Sequence, residues 1–162
     1  MKKLILFVLI AAIAISCSVE VKTDIDSETN QEYEYDSLLV KKYGADDYGM
    51  KKFVIAFLKR GPNRSQDSTE AIKLQKAHLE NINKLAEEGK LLLAGPFLDD
   101  GELRGIYIFD VQSIEEAKAL TETDPAIQKG RLVMELHEWY GSAAVMAIPD
   151  IHRKLEKINV AE

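Results

Sequence analysis

Two stretches of this chain are apolar on both sides of an extended backbone, and this narrows its possible folds more than any other feature. Lys51 to Lys59 reads as a strand in which Phe53, Ile55 and Phe57 fall on one face and Val54, Ala56 and Leu58 on the other. Arg104 to Val111 has the same property: Ile106 and Ile108 face one way, Tyr107, Phe109 and Val111 the other. Such strands belong in the middle of a sheet that is covered on both faces.

The intervening segments supply the other elements. After a polar turn from Arg60 to Gln66, Asp67-Ser68-Thr69-Glu70 has the form of a capping box. The helix it opens runs to about Glu88, and Gly89 is its left-handed stop. Its inner face is read as Ile72, Gln75, Leu79, Ile82, Leu85 and Ala86. His78, with Leu74 and Ile82 four residues to either side, falls at the edge of that face. Lys90 to Ala94 is a second strand, closed by Gly95-Pro96 because proline has no N–H for the ladder. Asp99 to Glu102 is a turn. Ser113-Ile114-Glu115-Glu116 is a second capping box for a helix through about Thr121. Asp124-Pro125 reads as an N-cap with proline at the first helical position of one short turn. Arg131 to Trp139 is the fourth strand, with Leu132, Met134 and Leu136 inward and a mixed outer face of Val133, Glu135, His137 and Trp139.

The order is therefore β-α-β-β-α-β, the α+β ferredoxin-like arrangement, whose inner strands are the first and third. Two helices cover one face of such a sheet. The other face is predicted to carry Val54, Ala56 and Leu58 with one apolar row of the third strand. Left open it would be a large apolar patch, so a second copy is predicted to cover it, giving a dimeric α+β barrel.

The flanks differ in character. Met1-Lys2-Lys3 followed by the uncharged run Leu4 to Ser16 has the layout of an export signal and is too short to span a bilayer. Ala14-Ile15-Ser16-Cys17 resembles a bacterial lipobox, with Ala14 and Ser16 in place of the usual residues, and makes Cys17 the candidate for lipidation. Several acyl chains on Cys17 would hold the protein at the cell envelope. The expected organisation is a signal peptide over 1–16, a flexible acidic and polar tether over 17–48, a domain over 49–141 and a C-terminal extension over 142–162. For Leu38-Leu39-Val40 a short docked strand is the lesser reading, and for the extension a swapped arm or a surface helix.

Composition excludes several functions. The net charge of −6 with no basic cluster argues against nucleic acid. A single cysteine cannot form an intrachain disulfide. His78, His137 and His152 are too far apart in the chain for a zinc template, so neither a metal nor a cofactor is predicted.

Four motifs then bring a family into view: Phe57-Leu58-Lys59-Arg60-Gly61-Pro62, Gln75-Lys76-Ala77-His78-Leu79, Leu93-Ala94-Gly95-Pro96-Phe97 and Thr123-Asp124-Pro125-Ala126. Over about Phe53 to Tyr140 the chain resembles the YciI-like, or YCII-related, family. The resemblance implies a dimeric α+β barrel and a His-Asp pair in a small cleft, which here would be His78 and Asp124. A few family members are lyases or dehalogenases of ring compounds, which makes a small organic acid or ring compound the expected ligand. The leader, tether and extension depart from the plain family pattern, as does Ala126, where a bulkier residue is common.

Chemically, a histidine oriented by a carboxylate is a competent proton-transfer group near neutral pH. The residues alone also allow His78 to be a half-buried helix residue with a satisfied ring nitrogen, and Asp124 to be an N-cap and nothing more. His78 lies roughly 15 Å along the helix from Ser68, so the pair meets only if the Asp124 turn dips along that helix. Arg60 and Arg64 are candidates for holding a carboxylate or phosphate, as against solvated surface arginines. Gly95 and Pro96 are candidate ligand contacts, as against a simple strand end. Two functions follow: proton-transfer catalysis (isomerisation or elimination) with His78 as base, or a non-catalytic dimeric module that binds a ligand or a protein.

Overall fold

The computed structural model describes residues 34–160. The predicted signal peptide, Cys17 and most of the predicted tether lie outside the described residues.

Four strands form one antiparallel sheet in the order β2-β3-β1-β4, with β1 at Met50–Arg60, β2 at Leu91–Pro96, β3 at Leu103–Phe109 and β4 at Leu132–Ser142. The two doubly apolar strands are the inner ones, so the fold is the α+β ferredoxin-like arrangement. Helix α2 (Ser68–Glu87) begins where Asp67 accepts from the Glu70 N–H at 2.8 Å, and it gives way to Gly89 at φ +70°. Helix α3 (Ile114–Thr121) begins where Ser113 accepts from Glu116 N–H at 3.1 Å. Asp124 caps the four-residue α4 (Pro125–Gln128).

Two expectations about the sheet faces are corrected. Val54, Ala56 and Leu58 do not wait for a second copy: they are buried under the helices, in one core with Leu85 of α2, Ala117 of α3, and Tyr107, Phe109 and Val111. Phe53, Ile55 and Phe57 take the opposite face. Both rows are apolar, and periodicity cannot say which one the helices choose. That choice follows from the right hand of the β1–α2–β2 crossover between parallel strands.

The second correction concerns what covers that opposite face. The chain after β4 turns into a 3-10 segment (Ala143–Ala147) and helix α5 (Ile148–Leu155). Val145 and Met146 pack on Phe53, Leu92 and Ile108, so part of the face reserved for a partner is covered by the chain's own extension. Trp139 lies against Phe53 at 5.8 Å between ring centroids. Gly141 leaves the indole its space, since a Cβ there would meet the ring at 2.3 Å. Burying a side chain the size of Phe53, fully enclosed here, contributes about 2–3 kcal/mol, which accounts for the extension folding back.

The stretch from residue 37 to 43, expected to be part of a flexible tether, is also corrected. Ser37–Tyr43 is a helix, α1, started by Asp36 accepting from Leu38 and Leu39 N–H and stopped at Gly44 (φ +66°). The segment is neither flexible chain nor the alternative strand, because a cap, two C-terminal lysines and a glycine stop favour a helix. A turn follows in which Asp46 accepts from Tyr48 and Met50 N–H at 2.9 Å and from the Tyr140 hydroxyl of β4.

Candidate functional site

The apolar core on the helix-side face of the sheet is interrupted by a polar group at Tyr107. Ala56 on β1 and Ala94 on β2 flank Tyr107 of β3, and two such small neighbours leave room above the sheet for the phenol and for a ring lowered onto it from α2. That ring is His78. The buried stripe of α2 runs Leu74, His78 and Leu85, with Ile82 packed beside them, so the first half of the helix is turned from the expected face. Ile72, expected inward, is 70 % exposed, and His78 sits at the centre of the stripe instead of its edge.

Asp124 reaches the same point from the α3–α4 turn. Its Oδ1 accepts from Ala126 N–H at 2.8 Å, which is the cap, and its Oδ2 lies 2.5 Å from His78 Nδ1. The N-cap role and the histidine contact are thus compatible, one for each carboxylate oxygen. The turn does dip along the helix: Thr123 Oγ1 is 3.0 Å from Asn81 Oδ1, one turn beyond His78, and 2.7 Å from Leu120 O.

With its proton on Nδ1, His78 donates to Asp124 and keeps the Nε2 lone pair. The Tyr107 hydroxyl is 3.4 Å from Nε2, and the two rings are stacked at 6.3 Å and 20°. All three residues are buried, at 7 %, 1 % and 3 % exposure for His78, Asp124 and Tyr107. Burial first, and the Asp124 charge second, push the phenol well above its ordinary range, so Tyr107 stays a neutral hydroxyl. Tyr107 was read in the sequence only as part of an apolar row. The available signal was that a buried tyrosine needs a partner for its hydroxyl.

The other candidates lie elsewhere. Arg60 and Arg64 are at the end of the sheet where α2 begins, roughly 15 Å of helix from His78. Arg60 pairs with Asp100 at 2.7 Å, and Arg64 donates to the Arg131 carbonyl at 3.2 Å. Gly95 and Pro96 belong to the β2 ladder opposite Ile106 and Gly105, without a bond to His78 or Asp124. Gly105 is what lets β2 come this close, since a Cβ there would lie 2.5 Å from Gly95 O.

A cleft of about 340 Å³ opens between α2, the β2 edge and α5. Ile82 and Ala94 form part of its wall; the first is one helical turn from His78 and the second is paired with Tyr107. The extension supplies the opposite wall through Ile148 and His152, and Asn83 Nδ2 donates to Asn159 Oδ1 at 2.7 Å beside it. Among the described residues there is no grouping of three or more His, Cys, Asp or Glu side chains placed to hold a metal, and no helix is long and apolar enough to cross a membrane.

Comparison with known proteins finds similar chains. The uncharacterized protein YjpA of Bacillus subtilis (strain 168) is 32 % identical over 62 residues, which is 38 % of this chain and 71 % of YjpA. The solved structure of 5-chloro-2-hydroxyhydroquinone dehydrochlorinase (TftG) from Burkholderia phenoliruptrix AC1100, in complex with 2,5-dihydroxybenzoquinone, overlaps 55 % of this chain and 93 % of its own. The identity is 22 % and the TM-score 0.41, too loose for residue roles to be carried across. The family model for the YCII-related domain matches residues 53–140, from the first buried phenylalanine into the last residues of β4, and the chain belongs to that family.

Proposed function

We propose that this domain binds a small organic acid or ring compound in the cleft between α2, β2 and α5, and that His78, oriented by Asp124, moves a proton on it in an isomerisation or elimination. The observation that carries the reading is the contact of 2.5 Å between His78 Nδ1 and Asp124 Oδ2 inside the core. Three polar side chains placed where leucines would pack cost stability, and buried polar networks of that kind concentrate at functional sites. Asp124 fixes the tautomer, Nε2 is the base, and the neutral Tyr107 hydroxyl next to it passes or positions the proton.

The test needs no knowledge of the reaction. A panel of small carboxylic acids and hydroxylated ring compounds is incubated with the protein in D₂O, and carbon-bound deuterium is followed by NMR. Exchange that disappears in His78→Gln and falls in Asp124→Asn, with both variants folded, supports the reading. Exchange that is unchanged in His78→Gln removes it.

One observation favours a second reading, a non-catalytic dimeric binding module. The cleft wall stops at Ile82 and Ala94, with His78 behind it at 7 % exposure. On that reading the pair is an internal clamp, His78→Gln lowers the melting temperature, and binding of the same panel is unaffected.

Two further parts of the proposal concern context. The part of the sheet face that the extension leaves uncovered, around Ile55, Phe57 and Ile106, is the surface for a second copy of the chain. Acylation at Cys17 places the protein at the bacterial envelope, and a Cys17→Ala variant that fractionates like the parent would count against that anchor.

A further inference from the structure

The end of the sheet where α2 begins gathers four arginines in an acidic protein: Arg60 at the end of β1, Arg64 in the next loop, Arg104 in β3 and Arg131 just before β4. Their partners are uneven. Arg60 and Arg104 share one carboxylate oxygen of Asp100, at 2.7 and 3.1 Å, on a side chain that is 90 % exposed. Arg64 and Arg131 have only neutral partners: Arg64 Nη1 donates to Arg131 O at 3.2 Å, and Arg131 Nη1 to Gln66 Oε1 at 3.1 Å. Among the described residues neither forms an ion pair. Partial desolvation, on a residue that is itself exposed, and the charges of Arg131, Arg60 and Arg104 hold the Arg64 guanidinium below its ordinary range, with Asp100 opposing them.

The backbone around the two is rigid. Gly61 N–H donates to Arg131 O and Asn63 N–H to Gly130 O, both at 3.0 Å, while Asn63 Nδ2 holds Lys129 O at 3.0 Å. A Cβ on Gly61 would fall 2.2 Å from Gly130 O, so only glycine permits this approach. Arg64 and Arg131 carry like charges that the exposed Asp100, already shared by Arg60 and Arg104, only partly offsets, and each guanidinium keeps N–H donors beyond its one protein contact. An oxyanion relieves the repulsion and takes those donors in the forked geometry that suits guanidinium.

We infer that Arg64 and Arg131 form an oxyanion site, separate from the His78 site, that takes the carboxylate or phosphate group of a small ligand, with Arg60 and Arg104 at its rim. The inference does not depend on the proton-transfer reading and stands if His78 proves purely structural.

The experiment titrates the full chain with inorganic phosphate and, separately, with succinate, against sodium chloride at matched ionic strength, and reads the arginine Nε–H signals by NMR. Saturable shifts of Arg64 and Arg131 with phosphate, succinate or both, absent with chloride, are expected, and the pair of titrations shows which oxyanion is preferred. Arg64→Gln and Arg131→Gln each weaken that binding roughly ten- to a hundredfold, and His78→Gln leaves it unchanged. If a glutamine variant unfolds, Arg131→Lys, which keeps the charge and loses the fork, serves in its place and still weakens binding. Chloride giving the same shifts, equal binding in folded Arg64 and Arg131 variants, or loss of binding in His78→Gln overturns the inference.

Discussion

Replacing Asp124 separates its two jobs. Asp124→Ala removes the cap on Ala126 N–H and leaves His78 without its partner at 7 % exposure. Losing one member of a buried pair costs about 3–5 kcal/mol, within which the cap accounts for about 1 kcal/mol. For a domain of this size each kcal/mol is about 4 °C, so the melting temperature should fall by roughly 15 °C. Asp124→Asn keeps an oxygen for Ala126 N–H and turns an NH₂ group toward His78 Nδ1. Two donors cannot face each other, so the imidazole proton moves to Nε2 and the Tyr107 hydroxyl changes from donor to acceptor. A charge-assisted bond becomes a neutral one, which costs about 1–2 kcal/mol, or roughly 5 °C. Circular dichroism measures the two melting temperatures, and ¹⁵N NMR of the imidazoles, assigned with His78→Gln, reports the tautomer. If Asn destabilises as much as Ala, or if Ala costs less than about 1 kcal/mol, the pair is not the buried unit described here.

Four other outcomes follow from the same structure. Gly61→Ala, whose Cβ would meet backbone at 2.2 Å, should lose about 1–3 kcal/mol in urea unfolding; an unchanged midpoint would show that the 61–66 and 129–131 segments are not locked. Tyr107→Phe deletes a hydroxyl held only by a long contact of 3.4 Å, so stability should change by less than about 1 kcal/mol, whereas a larger loss would mean a stronger bond than the geometry provides. Ile106→Lys, on the uncovered sheet face, should convert a dimer to a monomer in sedimentation, and a parent that is already monomeric would remove that surface from the proposal. Asp46 is held below the ordinary aspartate range by the Tyr140 hydroxyl first and by the Met50 and Tyr48 N–H groups. A depressed carboxyl contributes stability above its unfolded value and loses it as pH falls through the folded one. Tyr140→Phe raises the folded value toward the unfolded one, so less stability is lost on acidification and the loss is complete at a higher pH; melting curves that stay parallel to the parent's across the acid range would contradict this.

With α1 as the exception, the amino-acid order was enough for the elements that depend on short-range periodicity and end chemistry. Two strands apolar on both sides had to be central, and Asp67, Ser113 and Asp124 each start a helix because a side-chain oxygen accepts a free N–H within two or three residues. Those forces act between near neighbours and leave their mark in the spelling. Whether Val54 or Ile55 faces the helices is a different kind of question, since both rows are apolar and crossover handedness chooses between them. The return of Val145 and Met146 onto Phe53, and the rotation of the first half of α2 that moves His78 from the edge of its stripe to the centre, are likewise outcomes of packing between segments distant in the chain. Tyr107 escaped notice for the same reason: only when β3 and α2 are layered does its hydroxyl come to lie 3.4 Å from Nε2 of an imidazole 29 residues earlier.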